Sequence, residues 1–513
     1  MGMAIRVATG FGIGLLALST SCGSDDGKGG TGGASSASGG ISGTGGTASA
    51  SGGATSASGG TTSATGGVPA SSGGAAATGG ATATGGVGGA LGPSACADAA
   101  KPYSLSNKAL DAALVPVINS GGWGAPRAQL PLAVDPATNR VYVGFTSKSG
   151  TSFNSNLIAE DAAASALVTV PDAIGAGIAV TSSGFGMLLY EPVAENQRKW
   201  VAVARLGADG KPLYTTDLFR SPNLTDPNTK GEPNTSRLAY LQEVDQLLAY
   251  FEHSELIQGV RHFGGYLALV NADGKQTLLN GWFGSHNLDQ RVLVDGARAA
   301  VLGLGDAFPK GIIFASFAAT DKPRANSIYP LAANGVGTTN GQLGGIQNAG
   351  DAYLIPFVTN RALAQDFDAG AWPDTDEAKS KQIEDAAAKG TDLGLLLMSK
   401  TGTAPTGGLT ATWLDAQRGK ELGEETSITQ LKSARYGNGY YLLAWKETGT
   451  VAKSKTALFT LVIDKTGAVC QPKTQLPVEA EFMPGDDLVT RPDGRISWAN
   501  YRGNQLHVVT LTP

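Results

Sequence analysis

The 513-residue chain has only three cysteines and four histidines, His253, His262, His286 and His507. So few imidazoles restrict a His-rich metal centre to one completed by carboxylates. It has no Gly-x-Ser-x-Gly elbow, His-Glu-x-x-His pair, Walker loop, Cys-x-x-Cys pair or dinucleotide fingerprint after a strand. The usual signatures of serine hydrolases, zinc proteases and nucleotide enzymes are therefore missing. Net charge is −5 and the Lys and Arg residues are scattered, so no basic stripe offers itself to a nucleic-acid backbone. Large apolar side chains are nearly absent from Gly23 to Gly92, where short Gly-Gly-Thr/Ala/Ser units repeat. Such a tract cannot bury enough surface to offset the entropy of ordering.

The longest apolar run near the start, Val7 to Leu18, follows a short positive segment ending at Arg6. It is too short to span a bilayer and suits a signal-peptide core, residues 1–21. The run ends Leu18-Ser19-Thr20-Ser21-Cys22, which resembles the lipobox of bacterial lipoproteins, although Leu18 stands four residues before the cysteine rather than three. The resemblance implies lipidation of Cys22, an exported chain and a membrane anchor at the periplasm or cell surface; ordinary cleavage nearby is the alternative. Residues 22–94 then form a disordered tether whose coil dimension is roughly 45–50 Å.

From about residue 95 to the end, the pattern changes to strands. A strand–turn–strand unit recurs seven times, at Asp135–Phe145, Gly177–Tyr190, Arg237–Phe251, Gln290–Leu304, Gly345–Val358, Leu431–Trp445 and Leu488–Tyr501. Each sets apolar or aromatic residues on both sides of a Gly, Asn or Asp turn, the form of a β-hairpin. Third runs follow at Asn156–Glu160, Trp200–Leu206, Tyr266–Val270, Ile312–Phe317, Leu393–Met398 and Ala457–Ile463. The expected fold is all-β, a seven-bladed β-propeller, with six blades or two packed sandwiches as alternatives.

The seventh unit ends at its third strand, Gln505–Thr512, so a ring needs an outer strand from elsewhere. The apolar segment Ala112–Ile118 is the expected donor. Export leaves Cys96 and Cys470 as an even pair in a disulfide-permissive compartment, and a bond between them would lie beside this closure; two unpaired buried thiols are the alternative. Residues 359–391 interrupt blade five with an acidic aromatic loop and a helix expected over Glu377–Lys389, capped by Asp374 and ended at Gly390.

Candidate chemistry clusters where propeller loops share a face. Blade four opens with Gly284–Arg291, carrying His286 and Asp289, and its second strand ends at Asp306. Blade three contributes Glu252 and His253, and blade two carries Glu191 and Glu195. These imidazoles and carboxylates are the candidate ligand-binding rim, suited to a divalent cation or to acid–base work; turn capping, and pairing of Arg291 with a neighbouring Asp, are the structural alternatives. The blade-four segment resembles motifs in uncharacterised exported bacterial propellers, which implies fold and location and no reaction. Asp366, Asp368, Asp374 and Asp376 lack calcium-loop spacing. Trp282, Trp372, Trp413 and Trp445 are read as packing between blades before sugar stacking. The expectation is a monomeric, envelope-anchored module that binds an unidentified envelope or extracellular ligand. The alternative is a hydrolase or lyase with its site on the rim of blades three and four.

Overall fold

The computed structural model describes Cys96, residues 103–110 and, with interruptions, residues 130–513. Outside the described residues lie 1–95, 97–102, 111–129, 163–165, 193–199, 221–229, 258–259, 282, 284–286, 306–310, 331–332, 335–337, 340, 362–377, 379–380, 382–384, 386–389, 401–408, 415–421 and 453. The expected Cys22 anchor and tether segment fall there.

Seven small antiparallel sheets follow one another and form a seven-bladed β-propeller. Blade one runs Leu132–Val134, Val141–Ser149, Ser152–Ala159 and Val168–Pro171, from the channel outward. Blades two, three and four repeat this plan from Ile174, Lys230 and Asn287, and blades five and six from Gln342 and Thr426. Every first hairpin turns through a left-handed residue: Asn139 in blade one, Asp245 in blade three, and glycine in the other five, as at Gly296 and Gly494. Turns of that hand match the twist of paired strands, which is why those residue types punctuate the repeat.

Second and third strands read as unbroken buried runs, such as Val141–Ser147 and Arg298–Gly305 after its first residue. Both faces of a blade meet a neighbour, so period-two alternation is lost there. Each seam has its own apolar cluster, seven in all among the described residues. Trp445 fills the seam of blades five and six, and Trp498 that of six and seven. Trp413 packs edge-on against Phe357 at 5.6 Å. These tryptophans serve packing; Trp282 and Trp372 lie outside the described residues.

Closure uses a strand other than the expected one. Ser104–Leu110 pairs antiparallel with Gln505–Thr512, Leu110 opposite Leu506 and Ser104 opposite Thr512, and supplies the outer strand of blade seven. An outermost strand faces water and needs few apolar residues, so the apolar Ala112–Ile118, which lies outside the described residues, is not required for it. In Ser104–Leu110 only Leu110 is buried, and Leu110 joins Phe145 and Val508 in the seam of blades seven and one. Cys96 and Cys470 are disulfide-bonded, with their Cα atoms 5.1 Å apart. Within the blade-five insertion, Ala378, Lys381 and Asp385 have helical backbone. Its base is tied by Asn360 Nδ2 donating to the Gly390 carbonyl at 2.8 Å. The four aspartates at 366, 368, 374 and 376 lie outside the described residues.

Candidate functional site

The inner strands surround a central channel, and blade seven sends a segment across it. Between a short helical turn, Val478–Ala480, and the strand Val489–Thr490, residues 481–488 reach blades on the far side. Arg237 of blade three donates Nη2 to the Gly485 carbonyl at 2.6 Å and Nε to Asp487 at 2.8 Å. Arg291 of blade four stands 3.0 Å from the same Asp487 carboxylate and 2.5 Å from Asp289. Lys432 of blade six donates to the Pro484 carbonyl at 2.7 Å. The Leu130 N–H, at the entrance to blade one, donates to Asp486. A plug of a few residues thus ties four other blades to blade seven, with Arg237, Arg291 and Lys432 set against Asp289, Asp486 and Asp487.

Burial decides how these charges behave. Asp487 is held down to about 2, because the Arg237 and Arg291 guanidiniums outweigh the opposing effect of burial. Asp486 is pushed up to about 6 by burial, against the Leu130 hydrogen bond and Arg237. Lys432, only 1% exposed, is pulled down to about 7 by burial, reinforced by the charge of Arg291. The Arg237 and Arg291 guanidiniums both flank Asp487 and anchor the plug electrostatically.

On the face that carries the first hairpin turns, the channel widens into a funnel of about 1770 Å³. All seven blades line it, and it reaches inward to Arg291 and Asp487. Its wall mixes hydroxyl and amide groups, including Ser182, Gln242, Asn348 and Asn438, with Tyr142, Tyr240 and Tyr441. Polar struts across the seams hold the mouth. Gln347 donates to Ser433 Oγ at 3.0 Å, Asn348 to Asp295 at 2.8 Å and Arg205 to Asp245 at 2.6 Å. Arg491 grips both oxygens of Glu160 at 2.7 Å. A concave, largely pre-formed wall with a few convergent polar groups is what small-molecule or peptide sites require.

The five rim residues expected from blades three and four fare differently. Glu252 is a buried residue of the second strand of blade three, Gln246–Ile257. His253 follows it in the same strand, and its side chain lies outside the described residues, as do His286 and Asp306. Asp289 belongs to the plug cluster: it accepts from the Leu343 N–H at 3.1 Å and pairs with Arg291, the structural role allowed for that arginine. Among the described residues, no group of three or more His, Cys, Asp or Glu is placed to hold a metal ion. Sequence reasoning passed over Arg237, Lys432, Asp486 and Asp487. The available signal was a charge interrupting an apolar inner strand, as Lys432 does after Leu431 and before Ala434.

No protein-family model matches the sequence, and no curated protein matches it. Solved structures do match. Hydrazine synthase from Kuenenia stuttgartiensis is 10% identical with a TM-score of 0.41, covering 75% of this chain and 97% of that one. The BP39L lectin from Burkholderia pseudomallei is 9% identical with a TM-score of 0.44, covering 74% and 95%. Prolyl oligopeptidase B from Galerina marginata is 8% identical with a TM-score of 0.37, and the match takes in 75% of this chain and 46% of that chain. The sheets themselves define the class: this is a seven-bladed β-propeller protein. Its channel is crossed by a charged plug and opens as a funnel on the hairpin-turn face.

Proposed function

We propose that the protein is a ligand-binding module held at the cell envelope by a lipid on Cys22, with the funnel as its binding mouth. The observation that carries the reading is the funnel itself, about 1770 Å³ and lined by every blade. Rigid seams and cross-blade struts fix its wall before any ligand arrives, which lowers the ordering cost of binding. Its chemistry suits a polar ligand or an extended peptide held by hydroxyl and amide groups. The plug charges are paired with one another and serve as floor. The N-terminal lipobox-like sequence and the long tract behind it support presentation at a distance from a membrane surface.

The test is a thermal-shift panel of soluble oligosaccharides, peptidoglycan fragments and short peptides on the purified chain. It is repeated on Ala137→Trp and Asn438→Trp, two exposed positions at the funnel mouth. A compound that raises the melting temperature of the parent chain should lose its effect in both variants, which themselves melt within a degree or two of the parent. Undiminished binding in both tryptophan variants would move the site away from the funnel.

A further inference from the structure

The ring contains one blade whose strands are not consecutive in sequence. Blade seven takes its outer strand, Ser104–Leu110, from the N-terminal side of the domain. That strand is held by its ladder to Gln505–Thr512 and has modest packing of its own: Leu110 is its one buried residue, and Leu105 packs half-buried against the cluster of blades six and seven. Elements with few buried apolar contacts open at low free-energy cost. Its ends therefore matter. On one side the chain continues to Leu130, whose N–H is bonded to Asp486 of the plug. On the other side stands Cys96, covalently joined to Cys470 in the outer strand of blade six, Val469–Leu476. Tyr103, between Cys96 and the strand, donates or accepts at Thr460 of blade six at 2.9 Å.

We infer that the Cys96–Cys470 disulfide is a redox lock on the closure strand: oxidised, it seals blade seven; reduced, it releases the strand's N-terminal end and lets the outer edge open while the other blades stay folded. With the bond intact, the N-terminal end of the closure strand is fastened covalently to blade six. Reduction adds two electrons and two protons, breaks the S–S bond and yields two thiols, so a dithiol reductant is the co-reactant. The exposed edge is then Gln505–Thr512, with Leu506, Val508 and Leu511 on it. An unpaired edge of that composition is a template for a further strand. The lock belongs to an oxidising compartment, where such bonds persist.

The experiment is amide hydrogen exchange on the full chain, oxidised and after treatment with a phosphine reductant, with Cys470→Ser as an independent version of the reduced state. Amides of Ser104–Leu110 and their partners in Gln505–Thr512 should exchange at least about tenfold faster once the bond is gone, because opening of this unit is sub-global. Amides of Ala352–Thr359 and Arg298–Gly305, in blades five and four, should keep their rates. Equal acceleration everywhere would show a bond that merely stabilises the whole domain, and unchanged rates at the closure strand would show no lock; either result overturns the inference. Should the serine variant fail to fold, reduction of the already folded chain gives the same readout.

Discussion

Asp487 of blade seven and Arg237 of blade three form an ion pair at 2.8 Å although 250 positions separate them in the chain. The pair crosses the central channel, so it joins opposite arcs of the ring as no strand ladder does. Removing one member leaves the other charge poorly compensated in a desolvated place, which generally costs several kcal/mol. Asp487→Asn should lower unfolding stability by on the order of 3 kcal/mol, since Arg237 loses this ion partner and Arg291 is left with Asp289 alone. Urea denaturation measures this. A midpoint within error of the parent would mean that water reaches the cluster and screens it.

Lys432 gives the plug a pH signature. Its ammonium is pulled down to about 7 by burial, with Arg291 reinforcing the effect. The unfolded chain keeps that proton up to the ordinary lysine range, about 10.4. Between those values the unfolded state binds more protons, so the Lys432 contribution to stability rises with pH across that window and is least favourable below about 7. Lys432→Met removes the effect. The stability of the parent minus that of the variant should therefore increase from pH 6.5 to pH 9.5, as followed by chemical denaturation. A flat difference would place the Lys432 pKa outside that interval.

Asp486 acts in the opposite sense at lower pH. Burial pushes it up to about 6, so the folded state binds its proton where the unfolded state does not. Its contribution is fully present below the unfolded value and is lost as pH rises toward 6. Asp486→Asn, which keeps an acceptor for the Leu130 N–H, should abolish that slope. Stability of the parent relative to the variant should fall between pH 4 and pH 6; a rise would require a depressed, salt-bridge-like Asp486.

Leu110 is 2% exposed, whereas Ser106 in the same strand is exposed. Leu110→Ala should cost about 2–5 kcal/mol through lost burial and a residual cavity in the seam of blades seven and one. Ser106→Ala should stay within about 0.5 kcal/mol, as surface changes do. Equal effects of the two substitutions in a denaturation series would contradict the placement of Ser104–Leu110 as an outer strand with one inward residue.

For the anchor, Cys22→Ser should move the exported protein from the detergent phase to the aqueous phase, and intact mass should show a lipidated Cys22 at the start of the mature parent chain. Cleavage elsewhere without lipid would remove the envelope-anchoring part of the functional proposal and leave the funnel reading untouched.

The sequence by itself determined the hairpin repeat and pointed to seven blades, because each hairpin writes its own local code: two apolar runs around a residue that accepts left-handed backbone, such as Asn139 or Gly494; the closed ring of seven sheets was decided by the tertiary structure. It also offered Cys96 and Cys470 as a pair, which the structure joins. The closure strand was less legible. Ser-Leu-Ser-Asn-Lys-Ala-Leu has little apolar content, and an outer strand needs little, so its identity rests on backbone pairing with a partner some 400 residues away, as in Ala109 opposite His507. The plug was illegible for a stronger reason. Arg237, Arg291 and Lys432 are ordinary charges on separate strands and Asp487 lies in a connecting segment; a charge inside a strand, as at Lys432, hints at burial but names no partner. Only ring closure, which brings the inner strands of distant blades around one narrow axis and removes their water, turns them into a mutually compensating cluster with displaced proton affinities.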